Sequence, residues 1–344
     1  MKQLTPLNGR VVQFLPLAGL LSAFLIYWSF GLYNLGVPGL QYDEAADAVP
    51  AMELLNRLPN TALSTVDILG QKLPLMMGHY TGPSSIYTSL AGMALFGTSV
   101  AGLRISQMLL GAITLCLLWG ITRAWFGNVT ATVSLLLCAS APAYLWWSRA
   151  GAHFAAPLVL IALVLMLLLH RWWRSRRNTV LVAAAFVFGL GLTTKLLFVW
   201  LIVPIGLCVL LLLGMKGSLK LLRSQPISTL MLCAAAFTLG FLPFIVHNIP
   251  SGTSFRFIAE NAIQSRTYGH NNFDLIGNLR FELLDYLRMV GGDTLHFDAP
   301  AGVPLSAIAL IASVVYTAVL CVRFRRNIPV NTAVFPESTP CGAS

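Results

Sequence analysis

Long, uninterrupted apolar runs dominate the chain and recur along most of its length. They lie at residues 11–33, 103–122, 128–147, 154–170, 179–194, 196–214, 227–246 and 304–322. Their lengths approach or reach the roughly 17–25 residues with which a helix crosses a bilayer. The apolar positions are continuous rather than alternating, which argues against the strands of an outer-membrane barrel. The pattern predicts an all-α polytopic membrane protein of about eight transmembrane helices, with a tight hairpin turn near Thr193, Thr194 and Lys195.

Composition narrows the class further. Of the 344 residues, 57% are hydrophobic and only 10% are charged, whereas a soluble domain carries about 25% charged residues. This excludes a soluble globular enzyme, a disordered chain and a disulfide-framed secreted module. Most of the cysteines fall inside the apolar runs and none forms a C-x-x-C pair, so we expect neither disulfides nor thiolate metal sites.

The basic residues predict the orientation in the membrane. Clusters of Lys and Arg lie at 171–177, 216–223 and 323–326. Cytoplasmic loops are enriched in such residues. All three clusters lie on the same side of the membrane as Lys2 and Arg10 only if the shorter apolar stretch 83–98 does not cross the bilayer. We therefore predict that 83–98 is an interfacial helix. The net charge of +10 then reflects orientation and gives no support for nucleic-acid binding.

The resulting domain organisation is a single membrane domain with a short tail. Residues 1–326 form the predicted transmembrane domain, with a first external loop at 34–102 and a large external loop at 247–303. Residues 327–344 form a polar cytoplasmic tail. Both ends of the chain are predicted to be cytoplasmic, so the protein is an integral, multi-pass membrane protein that contacts membrane lipids.

Carboxylates near the start of the first external loop are the first candidate chemistry. The run from Asp43 to Leu55 is predicted to be helical and follows a Pro-Gly turn, which places Asp43 and Glu44 at a helix N-terminus. The structural alternative is a plain N-terminal cap, because free N–H groups and the helix dipole stabilise acids there. Asp43 and Asp47 share a helix face and adjacent Asp43 and Glu44 do not, so at most one of the pair points into a given pocket.

Basic residues at the external ends of spans are the second candidate. They are Arg104, Arg149 and Lys195. Each could simply extend toward lipid headgroups. Three such cations around one external site, facing an acidic loop, predict an anionic ligand such as a phosphate, which Arg binds through its fork and Lys as a point charge.

Polar residues nearby are candidate substrate contacts. His79 and Tyr80 belong to a Gly- and Pro-rich segment before the interfacial helix, and His153 follows Arg149. A lone His without a second ligand at metal spacing does not indicate a metal site. No cofactor is predicted with certainty, and a divalent cation is compatible with the site but not indicated.

An ordered series of motifs resembles a known family. The series is Asp43-Glu44, Leu95-Phe96-Gly97, Leu103-Arg104-Ile105, Arg123-Ala124-Trp125-Phe126-Gly127, Ser140-Ala141-Pro142, Trp147-Ser148-Arg149 and the Gly-Leu-rich run ending in Lys195. Over roughly residues 10–250 it resembles the dolichyl-phosphate-mannose–protein mannosyltransferase-like group. That group is glycosyltransferase family 39 of the GT-C superfamily, and the likeness is to its bacterial members.

The resemblance implies an inverting transferase that takes a sugar from a polyprenyl-phosphate donor. The acceptor would be a hydroxyl of a glycan, lipid or protein on the extracytoplasmic face of a bacterial inner membrane. It also implies that Asp43 is the base and that Glu44 assists it. Arg104 and Lys195 would neutralise the leaving phosphate, with Arg149 beside them, and His79, Tyr80, Asp47 and His153 would contact substrate.

Departures from the family pattern leave alternatives open. Relatives carry a second Asp shortly after the Arg that matches Arg149, but residues 150–154 contain no acid, and the usual His-Pro-Pro is replaced by the sequence from His79 to Pro83. Relatives also continue further at the C-terminus, which leaves a C-terminally truncated chain as one expectation. The alternatives are therefore a catalytically impaired fragment, a partner subunit, or a lipid or solute transporter. Transport is disfavoured because no acid lies mid-span and no repeat is visible.

Overall fold

The computed structural model describes residues 9–37, 39–150, 155–262 and 271–291. The helices are α1 (Gly9–Leu32), α2 (Tyr42–Leu55), α3 (Ser84–Phe96), α4 (Val100–Ser140), α5 (Pro142–Ala150), α6 (Ala155–Ser175), α7 (Asn178–Thr194), α8 (Val199–Arg223), α9 (Ile227–Gly240), α10 (Leu242–Ser251), α11 (Thr253–Asn261) and α12 (Leu275–Gly291). The chain divides into two units at Leu279, so the core and site described below belong to the first unit.

The apolar runs within the described residues form helices, and the predicted all-α membrane fold is confirmed. Among the described residues, α4 and the Ala156–Ser175 part of α6 are each long and apolar enough to cross a membrane. The number rises to four if two bent helix pairs are each one span; one of them is α9 and α10, which meet at 70°. The predicted number of spans, the orientation and the domain limits stay predictions. The run 304–322 and the tail 327–344 lie outside the described residues.

Helix α4 joins two of the predicted runs. Its backbone leaves helical geometry at Gly127, with φ 87° and ψ 175°, a conformation that only glycine adopts without steric cost. The second run was predicted to continue to residue 147, but α4 ends at Ser140 and α5 begins at Pro142. The reason is Ala141, which is extended (φ −68°, ψ 121°), as the residue before a proline prefers.

A β-hairpin between α2 and α3 was not predicted. Strands β1 (Ser64–Ile68) and β2 (Gln71–Met76) pair antiparallel, with Ile68 opposite Gln71. The two turn residues, Leu69 and Gly70, both have positive φ, which is the geometry of the tight turns that favour hairpins. The Asp67 carboxylate accepts a hydrogen bond from the Gly70 N–H at 3.0 Å. Because Leu69 is an unusual residue for such a turn, the usual sequence signal was missing.

Helix α4 is the central packing element of the first unit. It packs against α1, α3, α5 and α6. Its contact with α1 centres on Tyr27, which is fully buried and donates its hydroxyl hydrogen to the Met108 carbonyl at 2.9 Å. Next to this contact, Ala48, Ala51 and Ile86 bury the faces of α2 and α3 against the start of α4.

Two glycines let α7 and α9 approach backbone to backbone. A Cβ on Gly189 would lie 2.3 Å from the Phe237 carbonyl oxygen, and one on Gly240 would lie 2.3 Å from the Phe186 carbonyl oxygen. Both distances are too short for any side chain. Small residues at helix contacts are a common way to pack membrane helices closely, and this contact fixes α7, whose C-terminal end carries Lys195.

We expect Gly240→Ala to separate α7 from α9 and to destabilise the protein by about 1–3 kcal/mol, the usual cost of overpacking. Thermal unfolding in detergent measures this. The control is Gly206→Ala in α8, where a Cβ would meet no atom within 4 Å. Equal melting temperatures for the two variants would contradict the close contact.

Candidate functional site

The first-loop carboxylates lie at the N-terminus of α2, as predicted. The helix begins at Tyr42, so Asp43 and Glu44 are in its first turn. The Glu44 Oε2 atom accepts a hydrogen bond from the Gln41 backbone N–H at 2.9 Å, which satisfies a donor that the helix start would otherwise leave open. Glu44 is buried, whereas Asp43 is partly exposed. The adjacent carboxylates therefore sit in different environments.

Glu44 and Arg104 form a buried, two-pronged ion pair. Arg104 Nε donates to Glu44 Oε1 at 2.8 Å and Arg104 Nη2 donates to Glu44 Oε2 at 2.8 Å. The side chains are 1% and 2% exposed. Arg104 also donates to the backbone carbonyls of Leu35 and Gly39. One guanidinium thus joins the segment after α1, the start of α2 and the start of α4.

Asp47 joins α2 to α3. Its side chain is buried, and its Oδ1 atom accepts a hydrogen bond from the Ser85 hydroxyl at 2.7 Å. Asp47 was predicted to contact substrate. The described structure gives its Oδ1 atom a protein partner, and the substrate role stays a prediction.

Backbone hydrogen bonds connect the loop before α3 to the end of α7. The Leu196 N–H donates to the Tyr80 carbonyl at 2.9 Å, and the Gly82 N–H donates to the Thr194 carbonyl at 3.1 Å. A Cβ at Gly82 would lie 2.0 Å from the Thr193 carbonyl oxygen, so only glycine fits here. These contacts bring Tyr80 and Lys195, distant in sequence, into one site.

Lys195 is a largely buried cation in this site. Its Nζ atom lies 5.7 Å from the centre of the Tyr80 ring, within cation–π range. Burial lowers the pKa of the Lys195 ammonium to about 8, and the Asp43 carboxylate acts in the opposite direction by favouring the charged form. Asp43 and Lys195 are therefore close enough to interact electrostatically.

Phe257 completes an aromatic cluster around His79. The Phe257 ring stacks on His79 with centroids 4.6 Å apart and lies 5.8 Å from Tyr80. His247 is close enough to His79 for the two rings to interact electrostatically. Sequence reasoning missed Phe257, because α11 follows a left-handed Gly252 in a loop whose path no local pattern predicts.

Arg149 borders a cavity beside the buried ion pair. The cavity has a volume of about 310 Å³ and is lined by Gly39, Leu40, Gln41, Glu44, Arg104, Trp146, Arg149 and Ala150. Arg149 Nη2 donates to the Val37 carbonyl at 2.7 Å and also to the Asn34 carbonyl. The structure thus brings two of the three predicted phosphate ligands, Arg104 and Arg149, to one cavity, while Lys195 lies with Tyr80 and Asp43.

Two further predictions concern His153 and a metal ion. His153 lies outside the described residues. Within the part of the chain that the structure describes, no group of three or more His, Cys, Asp or Glu side chains is arranged to hold a metal ion.

Comparison with known proteins points to one family. The sequence pattern of the dolichyl-phosphate-mannose-protein mannosyltransferase family matches residues 81–247, just under half of the chain. The match confirms the resemblance seen in the motifs, and it contains Arg104, Arg149 and Lys195. No curated protein and no solved structure matches the chain.

The match to the mannosyltransferase family supports a membrane glycosyltransferase of the GT-C type. The matched segment begins at Thr81, after Asp43, Glu44, Asp47, His79 and Tyr80. Two contacts connect this earlier part of the chain to the matched segment. They are the Glu44–Arg104 ion pair and the Tyr80–Leu196 hydrogen bond.

We expect Glu44→Gln to destabilise the protein by about 3–5 kcal/mol, because it leaves the Arg104 charge buried without its carboxylate. Unfolding in detergent, followed by tryptophan fluorescence, measures the effect. The control is Arg256→Gln, which breaks the exposed Arg256–Glu260 pair and should change stability by no more than about 1 kcal/mol. A Glu44→Gln protein as stable as the control would show that the buried pair does not hold this part of the fold together.

Proposed function

We propose that the protein transfers a sugar from a polyprenyl-phosphate-linked donor to an acceptor hydroxyl, with inversion at the sugar carbon. The observation that carries this proposal is the pairing of a partly exposed carboxylate, Asp43, with a largely buried cation, Lys195. The family match supports the glycosyltransferase class. The donor, the stereochemistry and the residue roles are the proposed part.

Lys195 serves the leaving group. As the bond between the sugar carbon and the phosphate oxygen breaks, negative charge builds up on the phosphate, and a fixed cation lowers the barrier. The buried position of Lys195 strengthens this interaction, because charges attract more strongly away from bulk water. Tyr80 fixes the position of the ammonium through its ring, and the Leu196–Tyr80 hydrogen bond fixes Tyr80.

Asp43 serves the acceptor as general base. The acceptor oxygen forms the new bond to the sugar carbon, its proton passes to an Asp43 carboxylate oxygen, and the polyprenyl phosphate departs with the bonding electrons. A base for this step needs only hydrogen-bond reach of the acceptor hydroxyl. Because Asp43 and Glu44 point in different directions from α2, Asp43 is the member of the pair available for this role.

Glu44 and Arg104 receive a positioning role in this mechanism. Their ion pair holds the start of α2 against α4 and so fixes the direction in which Asp43 points. Arg104 and Arg149 also border the cavity of about 310 Å³, which is the second place where the donor phosphate could bind. His79, Tyr80, Asp47 and His153 remain proposed substrate contacts.

The proposed setting follows from the donor chemistry. A polyprenyl tail stays in the bilayer, so the site must lie at a membrane surface, and the acceptor would be a glycan, lipid or protein. We place the site on the extracytoplasmic face of a bacterial inner membrane, with the N-terminus of the chain in the cytoplasm.

We expect Asp43→Asn to abolish sugar transfer while leaving membrane insertion and folding unchanged, because the amide cannot accept the proton. Transfer of radiolabel from polyprenyl-phosphate sugars in membranes measures this. The matched control is Asp67→Asn in the exposed hairpin, which should retain activity. Full activity of Asp43→Asn would contradict the assignment of the base.

We expect transfer to fall as the pH rises through about 8, because Lys195 loses its charge there. The sign follows from the role of the ammonium: only the protonated form stabilises the leaving phosphate. Lys195→Arg should move this alkaline limb to higher pH, because a guanidinium stays protonated. The test is the rate of transfer against pH for both proteins, and an identical alkaline limb in the two would exclude Lys195 as its source.

A further inference from the structure

An apolar groove lies at the opposite end of the helices from the candidate site. Its volume is about 420 Å³, and it is bordered by α6, α7, α8 and α9, with Leu165, Trp172, Ala185, Ile202, Leu221 and Cys233 in its lining. The part of α7 in this lining begins at Leu181, thirteen residues before Thr194. The α7 lining extends to Phe188, so at 1.5 Å per residue it covers about 9–20 Å along the helix from Thr194.

Exposed cations lie at the same end of these helices. Arg174 is in the last turn of α6, and Arg223 is in the last turn of α8. Arg176 follows α6, and its guanidinium carbon lies 4.4 Å from the centre of the Trp173 ring and 5.4 Å from that of Trp172. Trp172 lines the groove, so one of these cations is held directly beside it.

The helices that line the groove carry no carboxylate of their own. The sequence has no Asp or Glu between Asp67 and Glu260, which covers every helix that lines the groove. An apolar groove that ends among exposed cations, on helices without carboxylates, matches a molecule with a hydrocarbon chain and a negatively charged headgroup. Basic pockets between membrane helices on the cytoplasmic side bind such headgroups, and the positive-inside rule places these clusters on that side.

We propose that this groove is a binding site for an anionic glycerophospholipid of the cytoplasmic leaflet. One acyl chain lies in the groove between α7 and α8, and the headgroup phosphate contacts Arg174, Arg176 and Arg223. The site is separate from the donor site, and the proposal does not depend on the catalytic roles given to Asp43 and Lys195.

The first test measures thermal unfolding of the detergent-purified, full-length protein with phosphatidylglycerol, phosphatidylcholine or polyprenyl phosphate. We expect phosphatidylglycerol to raise the melting temperature most. Replacing Arg174, Arg176 and Arg223 by Gln should weaken its apparent affinity by about tenfold or more and remove the difference from phosphatidylcholine. The charge-matched control replaces Arg57, Lys72 and Arg256, exposed cations elsewhere, and should keep the preference.

A second measurement compares the wild-type chain with one conservative variant and leaves the three cations in place. Phosphatidylglycerol with brominated acyl chains should quench part of the tryptophan fluorescence, and Trp172→Phe should remove that part. Equal stabilisation by phosphatidylglycerol and phosphatidylcholine would overturn the proposal. So would stabilisation by polyprenyl phosphate alone, or quenching unchanged in Trp172→Phe.

Discussion

The buried ion pair between Glu44 and Arg104 is the interaction on which the site depends. It is the point where the first loop meets the helical body, because Arg104 also holds the carbonyls of Leu35 and Gly39. A charge buried at 2% exposure is tolerated only when it is paired and hydrogen-bonded. The geometry of both partners is therefore tightly constrained, and the direction of Asp43 follows from it.

A second constraint fixes the other half of the site. Gly82 lets the loop before α3 touch the backbone of α7 at Thr193, and backbone hydrogen bonds at Tyr80 and Thr194 close the contact. These backbone contacts on either side of Lys195 set the position of its backbone. Because α7 is in turn held by its close contact with α9, the packing of the membrane helices determines where the cation lies.

The division of roles within the acidic pair has a physical origin. Neighbouring helix residues point about 100° apart, so the pair Asp43-Glu44 cannot serve one pocket. The buried member, Glu44, forms the ion pair with Arg104, and the partly exposed member, Asp43, is the proposed base. The cations also lie in two different environments. Arg104 and Arg149 contact backbone carbonyls of the first loop, whereas Lys195 lies near the Tyr80 ring and Asp43.

The sequence by itself determined the membrane class, the positions of most described helices and the family resemblance, because apolar runs and ordered motifs are local signals. It also predicted α2 and the turn at Lys195. Tertiary structure alone decided which carboxylate pairs with Arg104, that Phe257 stacks on His79, and that residues 64–76 form a hairpin. Those outcomes depend on contacts between residues far apart in the chain and on the backbone conformation at Leu69 and Gly252, neither of which a local pattern encodes.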